Sequence, residues 1–323
     1  MENQQTQQPR KKRSQFLDVW KRFKRNPLAM AGLTVIILLT LMAIFADVIA
    51  PGTERDPAYD MQNLLRAFQP PSSEHIFGTD HLGRDQFFRI VHGSRITLQV
   101  GFIVIGISMS IGVTLGALAG FYSGVTDNII MRIIDIILAV PTILLAISIT
   151  AALGDPSLRN VMIAVGIGAI PGFARITRGQ VLTVKEQEFV EAARSCGAND
   201  FRIIRRHVLP NCMAPIIVEA TMGMAGAISA AAALSFLGLG LQSPTPEWGA
   251  MLSDGRRFML LGHWHMTLFP GLAIAFIIFA LNLMGDGLRD AFDPRLRSAS
   301  VSKAKFKRMQ LARVAQNNSG EGR

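Results

Sequence analysis

The chain has 323 residues, half of them hydrophobic and 17% charged, with a mean hydropathy of +0.32 and a formal net charge of +10. Apolar runs near 20 residues are long enough to cross a hydrocarbon layer as helices, which excludes an ordinary soluble domain. The excess positive charge flanks those runs, which points to membrane topology and anionic lipid, with no nucleic-acid partner. Residues 1–27 form a basic tail with eight Lys or Arg in the first 25. The apolar run at 28–49 is too long for the core of a cleaved signal peptide and reads as a retained first span. A segment at 50–97 follows, with turns expected at Asp56–Pro57 and Pro70–Pro71 and an amphipathic helix over 84–92. Five more apolar runs lie at 98–121, 133–153, 161–174, 213–241 and 266–285. Glycine recurs in the second span (Gly101, Gly106, Gly112, Gly116, Gly120), where small residues let neighbouring helices approach closely. A core of five helices over 98–293 and a basic tail over 294–323, its last residues 316–323 expected to be disordered, complete the plan.

The basic residues orient the spans. With the N-terminus inside, six spans put 25 of the 33 Lys and Arg, and every lysine, on the inner side. The expectation is an all-α, multi-pass membrane protein with both termini cytoplasmic. Cys196 and Cys212 then face a reducing compartment, and with no CxxC or Cys/His cluster neither a disulfide nor a metal site is indicated. His263–Trp264–His265 lies at an expected membrane interface, and no carboxylate or cysteine beside it completes a ligand set; His75, His81 and His92 read the same way. No catalytic constellation and no cofactor motif appears, so the chain is expected to be neither an enzyme nor a cofactor protein.

The segment 175–211 carries seven basic residues together with an apolar side formed by Phe189, Val190, Ala193, Phe201 and Ile204. Lys185 to Cys196 favours a helix with Gly197 as its stop. Asn199 or Asp200 can cap a second short helix over 201–208, which Pro210 is expected to end. Arg202, Arg205 and Arg206 share a face. Taken alone, such a hairpin could dock on a cytoplasmic partner or lie on lipid.

Glu191-Ala192-Ala193, then Gly197, then Leu209-Pro210, resembles the EAA loop of bacterial ABC-importer permeases, except that His207 stands at the position of the family's isoleucine. The resemblance implies that this loop forms the coupling helix inserted into an ATPase subunit. It makes Glu191, Ala192, Ala193 and Gly197, with Phe201, Leu209 and Pro210 of the same loop, the expected ATPase-coupling residues. Residues 75–80 (HIFGTD), 82–85 (LGRD) and 93–95 (GSR) are similar to the dipeptide/oligopeptide/nickel C-type permeases. So are 234–240 (LSFLGLG), 244–249 (PTPEWG) and 282–290 (NLMGDGLRD), and the likeness runs from about 21 to 297. It implies a type I importer permease fold with six transmembrane helices, in a bacterial inner (plasma) membrane. The implied partners are a homologous second permease subunit, two cytoplasmic ATP-binding subunits and a periplasmic or lipid-anchored substrate-binding protein. The segment 50–97 would then serve as a platform for that binding protein, or as a lid over the bundle.

No GxxxxGK[ST] phosphate loop occurs, so ATP hydrolysis is assigned to separate subunits. A peptide is the expected cargo, with nickel, glutathione or another small solute as alternatives. A proton-coupled carrier is the alternative from another class; it would work through membrane-embedded ionisable groups such as Asp47, Arg132, Asp135, Glu219 or Asp286. Arg132 and Asp135 are expected to pair with each other, and Glu219 is the substrate-path candidate.

Overall fold

The computed structural model describes residues 15–52 and 59–293. The tails at 1–14 and 294–323, including 316–323, and the turn at Asp56–Pro57 lie outside the described residues. The described chain is helical, and no strand occurs in it. A short helix α1 (Gln15–Phe23) precedes the first long one, α2 (Pro27–Ile44), which starts where Asn26 accepts hydrogen bonds from the Leu28 and Ala29 amides and Pro27 occupies the first turn. A single turn, α3 (Ala46–Ile49), follows.

Helix α4 (Gln86–Tyr122) is 37 residues long. The amphipathic helix expected over 84–92 is its first turns and not a separate element. Asp85 caps it by accepting from Phe87 and Phe88 N at 2.8 and 3.1 Å. The chain then runs through α5 (Gly124–Ala139), α6 (Thr142–Ala152), α7 (Leu158–Val184), α8 (Glu188–Ser195) and α9 (Asp200–Ile203). A π-helical turn (Ile204–Val208) leads into α10 (Leu209–Phe236), followed by α11 (Trp248–Met259) and α12 (His265–Phe292).

Three expectations about the spans need correction. The third span, expected as one helix over 133–153, is broken: α5 and α6 meet at 93°. Val140 is extended, as a residue before proline prefers, and Pro141 cannot donate to a preceding turn. The fourth span, expected at 161–174, continues to Val184, so the first ten residues of the 175–211 segment are helix and not loop. Pro210 does not end a second short helix. The rod from Asp200 to Phe236 is continuous, and the π turn widens it where Pro210 offers no N–H to the carbonyl four residues back. Beside it, Asn211 Nδ2 donates to the His207 carbonyl at 2.6 Å.

Five helices (α2, α4, α7, the α9–α10 rod and α12) are long and apolar enough to cross a membrane; counted as one span, the bent pair α5–α6 makes six. The tightest seam joins α4 to α7. A Cβ added at Gly112 would lie 2.6 Å from Phe173 Cβ, one at Gly120 would lie 2.9 Å from the Arg178 carbonyl, and one at Gly116 would collide with the Ala174 carbonyl. Gly106 differs, since a Cβ there would meet nothing within 4 Å. The glycine recurrence is therefore mostly a packing surface. Buried Phe173, Ile216, Ile228, Ile277 and Leu281 fill the centre of the bundle. Chain direction puts the start of α2, the ends of α4, α7 and α12, and α8 itself at one end of the bundle, with 59–85 and α11 at the other.

Candidate functional site

At the α8 end, α7 passes into α8 with two residues between them after its cap, Lys185. That lysine is braced: its Nζ donates to the Gly120 carbonyl at 2.9 Å and to Ser123 Oγ at 2.6 Å, tying the root of α8 to the end of α4. Two turns earlier, Arg178 grips Asp127 of α5 through two hydrogen bonds of 2.5 and 2.6 Å. Asp135 pairs with Arg175 at 2.7 Å and not with Arg132 as expected. None of these three partnerships has a local spacing that would reveal it. The partners stand 51, 62 and 65 residues apart in the first two cases and 40 in the third, and sequence reasoning counted these cations only as topology signals.

Helix α8 ends as its glycine dictates. Gly197 adopts φ +80°, the Ala198 amide donates to the Ala193 carbonyl at 3.1 Å, and the Gly197 amide donates to the Arg194 carbonyl at 2.9 Å. This is a Schellman closure, in which a residue carrying a Cβ would be strained. Asn199 then caps α9 by accepting from Arg202 N at 2.9 Å. Of α8's own side chains only Val190 is buried, packed into the cluster of Phe121, Val184, Ile203, Ile204 and Val208. Arg194 sits over the Phe121 ring, 5.9 Å from its centroid.

The expected coupling residues fall around this small core. Glu191, Ala192 and Gly197 are exposed, Ala193 is half-buried, and Phe201 is 70% exposed. Phe189 is also exposed, so two phenyl rings stand in solvent beside an acidic and small-residue face. Leu209 and Pro210 lie farther along the rod: Leu209 packs partly into the core and Pro210 is exposed. His207 is half-buried, while its neighbour Val208 is fully buried.

Glu219 lies apart from this group, on α10. A Cβ added at Gly172 of α7 would lie 2.8 Å from Glu219 Oε1, so the carboxylate occupies room left by that glycine. It is half-buried and forms no ion pair or hydrogen bond among the described residues. Of the other ionisable candidates, Asp47 pairs with Arg95 at 2.8 Å and Asp286 is exposed.

The opposite end is a buried polar cap. Arg84 Nε donates to Asp80 Oδ2 at 2.6 Å and its Nη1 to Ser243 Oγ at 2.8 Å; Arg89 Nη1 donates to the Tyr59 and Pro244 carbonyls at 3.0 Å each. Trp248 Nε1 donates to the Ile90 carbonyl at 3.0 Å. Glu247 caps α11 by accepting from the Gly249 and Ala250 amides; burial pushes its carboxyl above the usual range, and those amides pull it back. Three of the histidines are engaged in structural bonds, His265 with the Thr79 carbonyl at 3.0 Å, His92 with the Ala50 carbonyl at 3.1 Å and His75 with Asp85 at 2.7 Å.

With the braced, glycine-closed α8 in place, comparison with known proteins decides the family. The model of the binding-protein-dependent transport system inner membrane component matches residues 112–298. The chain belongs to that family. The N-terminal transmembrane domain of oligopeptide transport permease C matches residues 14–71. The chain is 48% identical to the dipeptide transport system permease protein of Alkalihalophilus pseudofirmus, covering 88% of this chain and 91% of that one. It is 46% identical to the glutathione transport system permease protein of Pectobacterium atrosepticum, covering 88% and 93%. Among solved structures, a chain of the inward-facing MetNI methionine ABC transporter superposes with a TM-score of 0.52 at 18% identity, covering 64% of this chain and 98% of that one; this likeness establishes the type I permease fold. The chain is thus a membrane-spanning permease subunit of an ABC importer of the dipeptide/oligopeptide family, a multi-pass inner-membrane component whose family implies ATP-binding and substrate-binding partners.

Proposed function

We propose that this permease carries peptides, pairs with a homologous second permease, and is driven by two cytoplasmic ATPase subunits that grip α8. The single observation supporting this is the geometry of α8 and its stop. A stiff two-turn helix is fixed at its root by Lys185 and at its far end by Gly197, yet shows Glu191, Ala192 and Phe189 to the exterior, with Phe201 of α9 exposed just beyond it. A lever must be rigid to transmit motion, and its contact face must be free to enter a groove. Movement of α8 would pass directly into α4 through Lys185 and into α10 through the continuous rod from Asp200. Rocking of bundle halves around a fixed site is an established mode of alternating access. The proposed orientation places α8 and both termini in the cytoplasm and the 59–85 cap toward a binding protein. The chain performs no covalent chemistry on this reading.

Glu219 is proposed to line the substrate path. A carboxylate within a membrane-spanning helix, facing a glycine and lacking a partner among the described residues, is suited to a cationic group on a passing substrate, such as a peptide amino terminus. Glutathione has specific support as a second cargo, because relatives named for it are 46–47% identical to this chain.

The test is uptake by the assembled importer with Gly197→Val. Uptake driven by ATP is expected to vanish while the amount of chain in the membrane stays at the wild-type level. Normal uptake would remove α8 from the mechanism. Dipeptides, longer peptides and glutathione competing against one labelled substrate would then identify the cargo. Loss of uptake on adding a proton uncoupler at constant ATP would instead favour a carrier.

A further inference from the structure

Helix α1 takes no part in the coupling or pathway described above. It is held to the bundle by one face. Phe23 is buried against Ala29 of α2 and Ala291 of α12, and Arg22 Nη1 donates to the Ala291 carbonyl at 3.4 Å. The other face is built differently. Leu17, Trp20, Lys21 and Lys24 are spaced i, i+3, i+4, i+7, so they form one stripe, and all four are exposed. Leu17 is 55% and Trp20 40% exposed, and Lys24 Nζ stands 5.1 Å from the Trp20 ring centroid. Arg25 follows, also exposed, and Asp18 is the one acidic residue in the helix. Four residues after Phe23 the membrane-spanning α2 begins at Pro27, with Leu28 exposed at its first turn. The stripe therefore stands at the level where hydrocarbon gives way to headgroups. Leucine and tryptophan beside lysine suit that depth: the apolar atoms enter the acyl boundary while ammonium groups reach phosphates.

We propose that the outward stripe of α1 is a binding site for an anionic phospholipid, with Lys21, Lys24 and Arg25 around the phosphate and Leu17 and Trp20 against the acyl chains. The charge balance selects the ligand. Three exposed cations and a single carboxylate would gain nothing from a zwitterionic headgroup over water but attract a net negative one. Because α1 packs on the ends of both α2 and α12, an occupied site fixes the position of those two helix ends relative to the membrane surface.

The test is native mass spectrometry of the full-length chain, released from detergent with phosphatidylglycerol or phosphatidylcholine of identical acyl chains. Wild type is expected to bind phosphatidylglycerol in preference. Lys21→Gln/Lys24→Gln is expected to reduce that preference by up to roughly thirtyfold, as removal of two surface cations implies. Lys21→Arg/Lys24→Arg should keep it. A charge-matched control at the opposite end, Arg159→Gln/Arg257→Gln, should leave it unchanged. Equal binding of both lipids by wild type overturns the proposal. So does an equal loss in the α1 and control variants, which would mean that overall charge and not this helix selects the lipid.

Discussion

The two ends of the bundle are finished to different degrees. At the α11 end, Arg84 and Arg89 are almost fully buried, and their hydrogen bonds join residues as far apart as Arg84 and Ser243. At the α8 end a single valine anchors the short helix, and aromatic side chains stand in solvent. One end closes upon itself, since buried charge persists only where partners surround it. The other leaves aromatic and small residues exposed, which suits the ATPase contact proposed for it. Substitutions at the first end should therefore be read out as stability and at the second as transport.

The largest loss of stability is expected from Arg84→Met, which leaves the Asp80 carboxylate buried without its closest charge. The cost should be about 3–5 kcal/mol, seen as a much lower thermal midpoint of the purified chain in detergent and little monodisperse protein. A midpoint near wild type would mean that the cap is not held together by charge. Next comes the α4–α7 seam, which both ends depend on. Gly116→Leu would drive a side chain into the Ala174 carbonyl and the Thr177 side chain, an overpacking cost of about 1–3 kcal/mol or more. Gly106→Leu on the same helix meets open space and should leave the midpoint of the isolated chain unchanged. Equal effects of the two would sink the claim that the glycines differ in role.

That pair of glycines also shows how far the sequence could be read. Gly106 and Gly116 look alike as letters in a repeat; only the angle each takes on α4 separates a packing contact from an open face. Long apolar runs located five of the membrane helices because each is dominated by its own composition. The break at Pro141 was invisible to hydropathy, since the runs on both sides of it are equally apolar, although the proline itself was a usable signal. Pro210 misled in the opposite direction: it was read as a stop, yet a π turn and the Asn211 side chain accommodate it. Around α8, Gly197 and Asn199 were legible because their roles are local, a left-handed stop and a cap. Lys185 and Arg178 were not, because their partners lie 51 or more residues away.

Phe201→Ala tests the unfinished end. The ring is 70% exposed, so its removal should change the stability of the isolated chain by no more than about 0.5 kcal/mol. On the proposed reading it is an aromatic anchor in an ATPase groove, where truncation typically costs about 2 kcal/mol or more of binding. Co-purification of the ATPase should weaken more than tenfold and ATP-driven uptake should fall with it. A variant that loses stability without losing the ATPase would reverse the assignment of this ring from contact to core.

The smallest effect is expected from Asp47→Asn, which separates a true cap contact from a decorative one. Asp47 accepts two hydrogen bonds from Arg95, at 3.0 and 2.8 Å, and the arginine holds its carboxyl below the usual range at low cost, since the side chain is 72% exposed. Water and salt compete with such a pair at every moment, so its geometry overstates its worth. Arg95 moreover keeps other acceptors, the Ala43 carbonyl at 2.5 Å and the Ile44 carbonyl at 3.1 Å, which survive the substitution. The thermal midpoint of Asp47→Asn should thus match wild type at 0.15 M salt, whereas Arg95→Met, which strips those carbonyls of their donor and frees α2 from α4, should lower it. If instead the aspartate substitution proved the more damaging of the two, the ion pair and not the arginine's grip on the α2 carbonyls would be what fastens the first span to the bundle.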